Sequence, residues 1–144
     1  MIVEQILNHK GHAVVTLKED NTLREAAQLL DEKKIGAVVA LGRDEQIIGV
    51  LSERDIVRQV ARHGAEALDM PVGSAMTRAV VTVYGETPVD EALQTMTDRR
   101  IRHLPVIQSG RLTGVISIGD LVKWKIAEAQ AEADAMKSYL SVQY

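Results

Sequence analysis

The feature that most constrains this chain is that it repeats itself. The string AVVT stands at 13–16 and again at 79–82, an offset of 66 residues. At the same offset Glu25, Ala26, Gln28 and Ile35 are matched by Glu91, Ala92, Gln94 and Ile101, and the basic pair Lys33, Lys34 by Arg99, Arg100. One residue is then lost. At an offset of 65, Gly49, Val50, Ser52, Asp55 and Val57 are matched by Gly114, Val115, Ser117, Asp120 and Val122. A unit of about 60 residues is marginal alone, so two copies are expected to pack through their sheets and bury a shared core.

Each copy reads β-α-β-β-α. AVVTL at 13–17 and AVVTV at 79–83 predict short β-branched strands. Helices follow, with capping boxes expected at Thr22 with Glu25 and at Thr87 with Asp90, and Pro88 at the first helical position. Leu23, Ala26, Ala27 and Leu30 keep helical spacing, as do Val89, Ala92, Leu93 and Met96. Middle strands are expected at 36–41 and 103–107, polar turns at 43–46 and 108–111, then the third strands IIGVL and LTGVI. Each third strand runs into a helix opened by Ser52 or Ser117. The fold class is α/β: two β-α-β-β-α repeats with pseudo-twofold symmetry. The expected divisions are 1–64 and 65–128, with a helical tail over 129–144. The connection RHGAEALDMPVGSAMT holds Gly64, Pro71 and Gly73, yet it is too apolar for a free linker.

The strand-to-helix junctions GVLSERD and GVISIGD have two readings. Ser-x-x-Asp is an N-terminal capping pattern, in which the hydroxyl accepts a backbone N–H and the carboxylate favours the positive helix end. The same helix end suits a phosphate, and a carboxylate beside it can accept the hydroxyls of a ribose. RRIRHLPV adds Arg99, Arg100, Arg102 and His103 around the second middle strand. Alternation puts Arg102 and His103 on opposite faces, and Pro105 points to an edge strand or a distortion.

These junctions, the motif IRHLPV and the duplicated unit resemble a pair of cystathionine-β-synthase (CBS) domains, a Bateman module, over about residues 1–128. The resemblance implies a regulatory module that binds an adenosine ligand such as AMP, ATP, NAD(H) or S-adenosylmethionine in clefts between the repeats. It also implies pairing into a homodimer. Carried over by motif, Asp120 and Asp55 would hold ribose, and Ser117 and Ser52 would face phosphate. Arg102 and His103 would contact phosphate or line its cleft, with Leu104 and Pro105 of the same motif. Thr82 and Thr16 would lie near the adenine. Where the second repeat has Arg102 and His103, the first has Gly36 and Ala37, which cannot neutralise phosphate. Arg54 is the first repeat's substitute. Two unequal sites are therefore expected, the Asp120 site being the better one for a nucleotide monophosphate.

Little else in the chain carries chemistry. There is no cysteine, hence no disulfide, thiol catalysis or thiolate metal site. His9 and His12 form HKGH, read as loop residues rather than metal ligands. His63 and Gly64 end a helix. Ser117 lacks a base-and-orienter arrangement, and neither a P-loop nor a spaced metal set occurs, so no enzyme is expected. A net charge of −3 without a basic run argues against nucleic acid or anionic membrane. No signal peptide or spanning segment is read, and a cytoplasmic place is expected. The tail is Ala-rich and helical, with Leu121, Trp124 and Ile126 expected to pack near the module or a dimer partner. Met136, Tyr139, Leu140 and Tyr144 are apolar enough for docking against another chain, with a solvated helix the equal alternative for that distal part. The regulated partner is not named by any residue. The competing reading is a dimerisation or adaptor protein with vestigial clefts.

Overall fold

The computed structural model describes residues 1–143. The order is α1 (Val3–Lys10), β1 (Thr16–Lys18), α2 (Leu23–Lys33), β2 (Ala37–Leu41), β3 (Ile47–Ser52), α3 (Glu53–His63), β4 (Val83–Tyr84), α4 (Val89–Arg99), β5 (His103–Gln108), β6 (Arg111–Ser117) and α5 (Ile118–Gln143). Short 3-10 helices at Gly64–Asp69 and Val72–Ser74 lie in the connection, where Ala67 and Val72 are fully buried. Each repeat forms a three-stranded sheet with its middle strand central, parallel to the first and antiparallel to the third.

Two compact units result: Ala13–Val81, and Met1–His12 with the chain from Thr82 onward. Each unit thus takes its lead segment from ahead of the other repeat. The bonds that dock the two segments correspond one for one. In the second unit the N–H groups of Val3 and Glu4 donate to the carbonyls of Thr87 (2.9 Å) and Gly85 (2.8 Å), and Val89 N–H to Met1 (3.1 Å). In the first unit Val72 and Gly73 donate to Asn21 (2.7 Å) and Glu19 (2.9 Å), and Leu23 to Met70 (2.9 Å). The glycine of each junction lies beneath its lead segment. A Cβ on Gly114 would meet Leu7 Cδ2 at 2.6 Å, and one on Gly49 would meet Met76 Sδ at 2.5 Å.

The first unit's core is Leu23, Ala26, Leu30, Val38, Ala40, Leu51, Ile56, Val72 and Met76. These are the inward positions of α2, the strands and, at Ile56, α3, closed by the connecting segment. In the second unit Val3, Ile6, Leu7, Val89, Ala92, Met96, Leu104, Val106, Ile116 and Leu121 are buried.

Four local expectations are corrected. The strands predicted at 13–17 and 79–83 are shorter, three residues in β1 and two in β4. Each is an edge strand with one neighbour, and the parallel pairing of β1 begins only at Thr16, opposite Val39. Of the two readings of Pro105, an edge strand or a distortion, the edge is overturned: Pro105 lies in a central strand, whose pairing with β6 shifts register between Val106 and Ile107. It is tolerated because β4 stops short of it. The equivalent Val39 donates its N–H to the Val15 carbonyl at 3.4 Å, a bond proline cannot make. The capping box is formed at Thr22–Glu25 but not at Thr87–Asp90. The N-cap of α4 is Pro88, the true counterpart of Thr22; Thr87 Oγ1 accepts from Tyr84 N–H, and Asp90 pairs with Lys125. Finally, His9 lies within α1, edge-on to Trp124 with ring centroids 5.6 Å apart. His12 bonds to the Thr113 carbonyl (3.2 Å) and Asn8 Oδ1 (2.9 Å).

α3 ends at His63 with Gly64 at its C-cap, as expected. The tail continues α5 without a break. Leu121 is fully buried and Trp124 half-buried, whereas Ile126, Met136, Tyr139 and Leu140 are exposed. Tyr144 lies outside the described residues. Among the described residues no helix is long and apolar enough to cross a membrane.

Candidate functional site

Both Ser-x-x-Asp junctions are closed capping boxes. In the first, Ser52 N–H donates to Asp55 Oδ2 (2.9 Å) and Asp55 N–H to Ser52 Oγ (3.3 Å). In the second, Ser117 N–H donates to Asp120 Oδ2 (2.9 Å) and Asp120 N–H to Ser117 Oγ (3.1 Å). A further bond ties each helix start to the residue ahead of the middle strand. Glu53 N–H donates to the Gly36 carbonyl (3.0 Å), and Ile118 N–H to the Arg102 carbonyl (2.8 Å).

In the second repeat that backbone bond brings the charged residues together. Arg102 is exposed and joined through its carbonyl to the first residue of α5. His103 opens β5, half-buried and directly opposite Ser117. Leu104 pairs with Ile116 and is fully buried, so its side chain belongs to the core; Pro105 is buried beside it. Thr82 is exposed and precedes β4. In the first repeat Thr16 is exposed at the start of β1, Gly36 is half-buried, and Ala37 is buried opposite Ser52. Arg54 is exposed in the first turn of α3. A groove of about 580 Å³ opens between α2 and α3, lined by Leu30, Ile35, Gly36, Glu53, Ile56 and Val57 among others. Its one cation, Lys34, lies 3.6 Å from Asp31, so it offers no cluster for phosphate.

The two aspartates differ in what neutralises them. Asp55 is buried and paired within its own helix, Arg58 Nη1 donating to Oδ1 at 3.2 Å. Asp120 is paired from 110 residues away: Lys10 Nζ reaches Oδ2 at 2.6 Å and the Val115 carbonyl at 2.8 Å. Burial pushes the Asp120 carboxyl up. The Lys10 ammonium and the Ser117 N–H outweigh it and hold the carboxyl below its ordinary value. Sequence reasoning missed Lys10, because the motif positions say nothing about where α1 docks. The available signal was a second repeat, VEQIL at 3–7 against VGSAM at 72–76.

The second junction thus holds a carboxylate at a helix start, paired with a lysine, with Arg102 and His103 on the adjoining backbone; a helix start and a lysine are groups that can meet an anion. Among the described residues no group of three or more His, Cys, Asp or Glu could hold a metal ion.

Comparison with known proteins identifies the family. The family model described as CBS domain matches twice, over 3–62 and 72–127. A crystal structure of a CBS-domain containing protein from Agrobacterium tumefaciens is 43% identical, with a TM-score of 0.84, covering 87% of this chain and 99% of that one. A CBS domain protein from Pyrobaculum aerophilum, solved complexed with AMP, is 34% identical with a TM-score of 0.75, covering 83% of this chain and 89% of that one. The CBS domain-containing protein CBSX3, mitochondrial, of Arabidopsis thaliana is 34% identical over 129 residues, 87% of this chain. The match spans only 63% of that relative's length. Matched twice over most of its length, this chain belongs to the CBS-domain family, as a tandem pair.

Proposed function

We propose that this chain is a non-catalytic sensor that binds an adenine nucleotide at the Asp120 junction and signals its occupancy to a partner protein. The observation that carries the reading is the asymmetry of the two junctions. Only the second pairs its capped carboxylate with a lysine from outside the motif, Lys10, and carries Arg102 and His103 on the backbone beside it. Asp120 would accept the ribose hydroxyls, and Arg102, His103 and Ser117 would meet the phosphate. Thr82 would flank the base. The AMP-bound neighbour from Pyrobaculum aerophilum supports the ligand class. The Asp55 junction, with Ser52, Gly36, Ala37, Arg54 and Thr16, would be the weaker site. Ligand would act by favouring one arrangement of the module or of a homodimer over another. A cytoplasmic place remains part of this reading.

A thermal-shift panel with AMP, ADP, ATP, NAD, NADH and S-adenosylmethionine tests it, run on the wild type and on Asp120→Ala. A ligand at ~100 times its dissociation constant stabilises the fold by about 2.7 kcal/mol. The reading predicts a shift with at least one phosphorylated ligand, lost in the variant. The adaptor reading is favoured by the closed capping boxes, which give Ser117 and Asp120 a complete structural role. It predicts no shift with any ligand.

A further inference from the structure

Lys10 stands outside the duplicated pattern. Nine positions separate Leu7 from Thr16, but six separate the equivalent Met76 from Thr82. The lead segment of the second unit is therefore three residues longer than its counterpart, and its extra turn carries Lys10. In the counterpart, Arg78 turns away to Glu19 (3.6 Å) and the Gly73 carbonyl (3.0 Å) and does not supply Asp55. Lys10 instead reaches the junction. Leu7 packs over Gly114, His9 meets Trp124, His12 bonds Thr113, and the ammonium spans Asp120 and the Val115 carbonyl.

On the reading that Asp120 takes a ribose, we infer that Lys10 makes this site selective for 5′-phosphorylated nucleosides over uncharged ones. A bare carboxylate would repel a phosphate held on the same ribose. Lys10 cancels that charge and, at 42% exposure, has the freedom to turn its ammonium from Oδ2 to the phosphate as ribose hydroxyls take over the carboxylate. Because the residue lies on a lead-segment extension absent from the other unit, the selectivity belongs to one junction only.

The test is calorimetric titration of AMP and of adenosine into wild type, Lys10→Met and Lys10→Arg. Melting temperatures would confirm that α1 remains docked. Lys10→Met should weaken AMP about tenfold or more. It should leave adenosine within about threefold and flatten the salt dependence of AMP binding. Lys10→Arg should restore most of the AMP affinity. Equal weakening of both ligands, or no weakening of AMP, overturns the inference while leaving the nucleotide reading intact. Tighter binding of both would make Lys10 a blocking residue and also overturns it. A wild type that binds neither ligand overturns the inference, and one that also binds no other nucleotide of the thermal-shift panel overturns the nucleotide reading itself.

Discussion

Gly49 and Gly114 show how a single residue type is forced by packing. Each lies in a strand, where glycine costs stability, yet each is required because a side chain from the lead segment occupies the place of its Cβ. Gly114→Ala pushes against the buried Leu7, and should destabilise by about 1–3 kcal/mol in urea unfolding. Gly49→Ala meets the thioether of Met76, a more adaptable chain. It should cost clearly less. Equal losses would contradict the packing account. Asp120 supplies a pH prediction. Its carboxyl is held below the ordinary range, so its contribution is complete above the unfolded value of about 3.9 and lost as pH falls through the lower folded value. The melting-temperature gap between wild type and Asp120→Asn should stay constant from pH 7 to 5 and close on further acidification. A gap unchanged at pH 3 would show that the carboxylate charge does not matter.

At the level of elements, β5 and β2 are the informative pair. They share register and burial, but Val39 donates to β1 where Pro105 cannot donate to β4. Pro105→Val should lengthen β4 by one residue, seen as a slowly exchanging amide at position 105 in hydrogen-exchange mass spectrometry or NMR. Rapid exchange there would mean that something other than the missing donor ends β4. The helices, middle strands and hairpins were legible in the sequence, because apolar spacing and turn residues state them locally. The turn Ser109–Gly110 has both residues at positive φ and fits its two-residue hairpin. The α4 cap lies one position later than the local pattern predicts. Thr87–Asp90 satisfies the pattern as well as Pro88–Glu91 satisfies the repeat, and only the docked lead segment decides between them.

At the level of the whole molecule, the duplication fixed the fold, while the exchange of lead segments escaped notice. VEQIL and VGSAM share a valine and a spacing but little chemistry, so α1 gave no local sign that it docks on the second sheet. The motif residues of the site were therefore readable, and Lys10 was not. The distal part of α5, exposed throughout, contributes no core. Removing 129–144 should lower the melting temperature by no more than a few degrees. A larger loss would assign the tail to a buried dimer contact.

On the proposed reading the two junctions are unequal, and Asp120 governs the stronger one. Isothermal titration of AMP into wild type, Asp55→Ala and Asp120→Ala measures this directly. The account predicts one dominant site per chain, abolished by Asp120→Ala and retained in Asp55→Ala. Loss of that site in Asp55→Ala with retention in Asp120→Ala would contradict it.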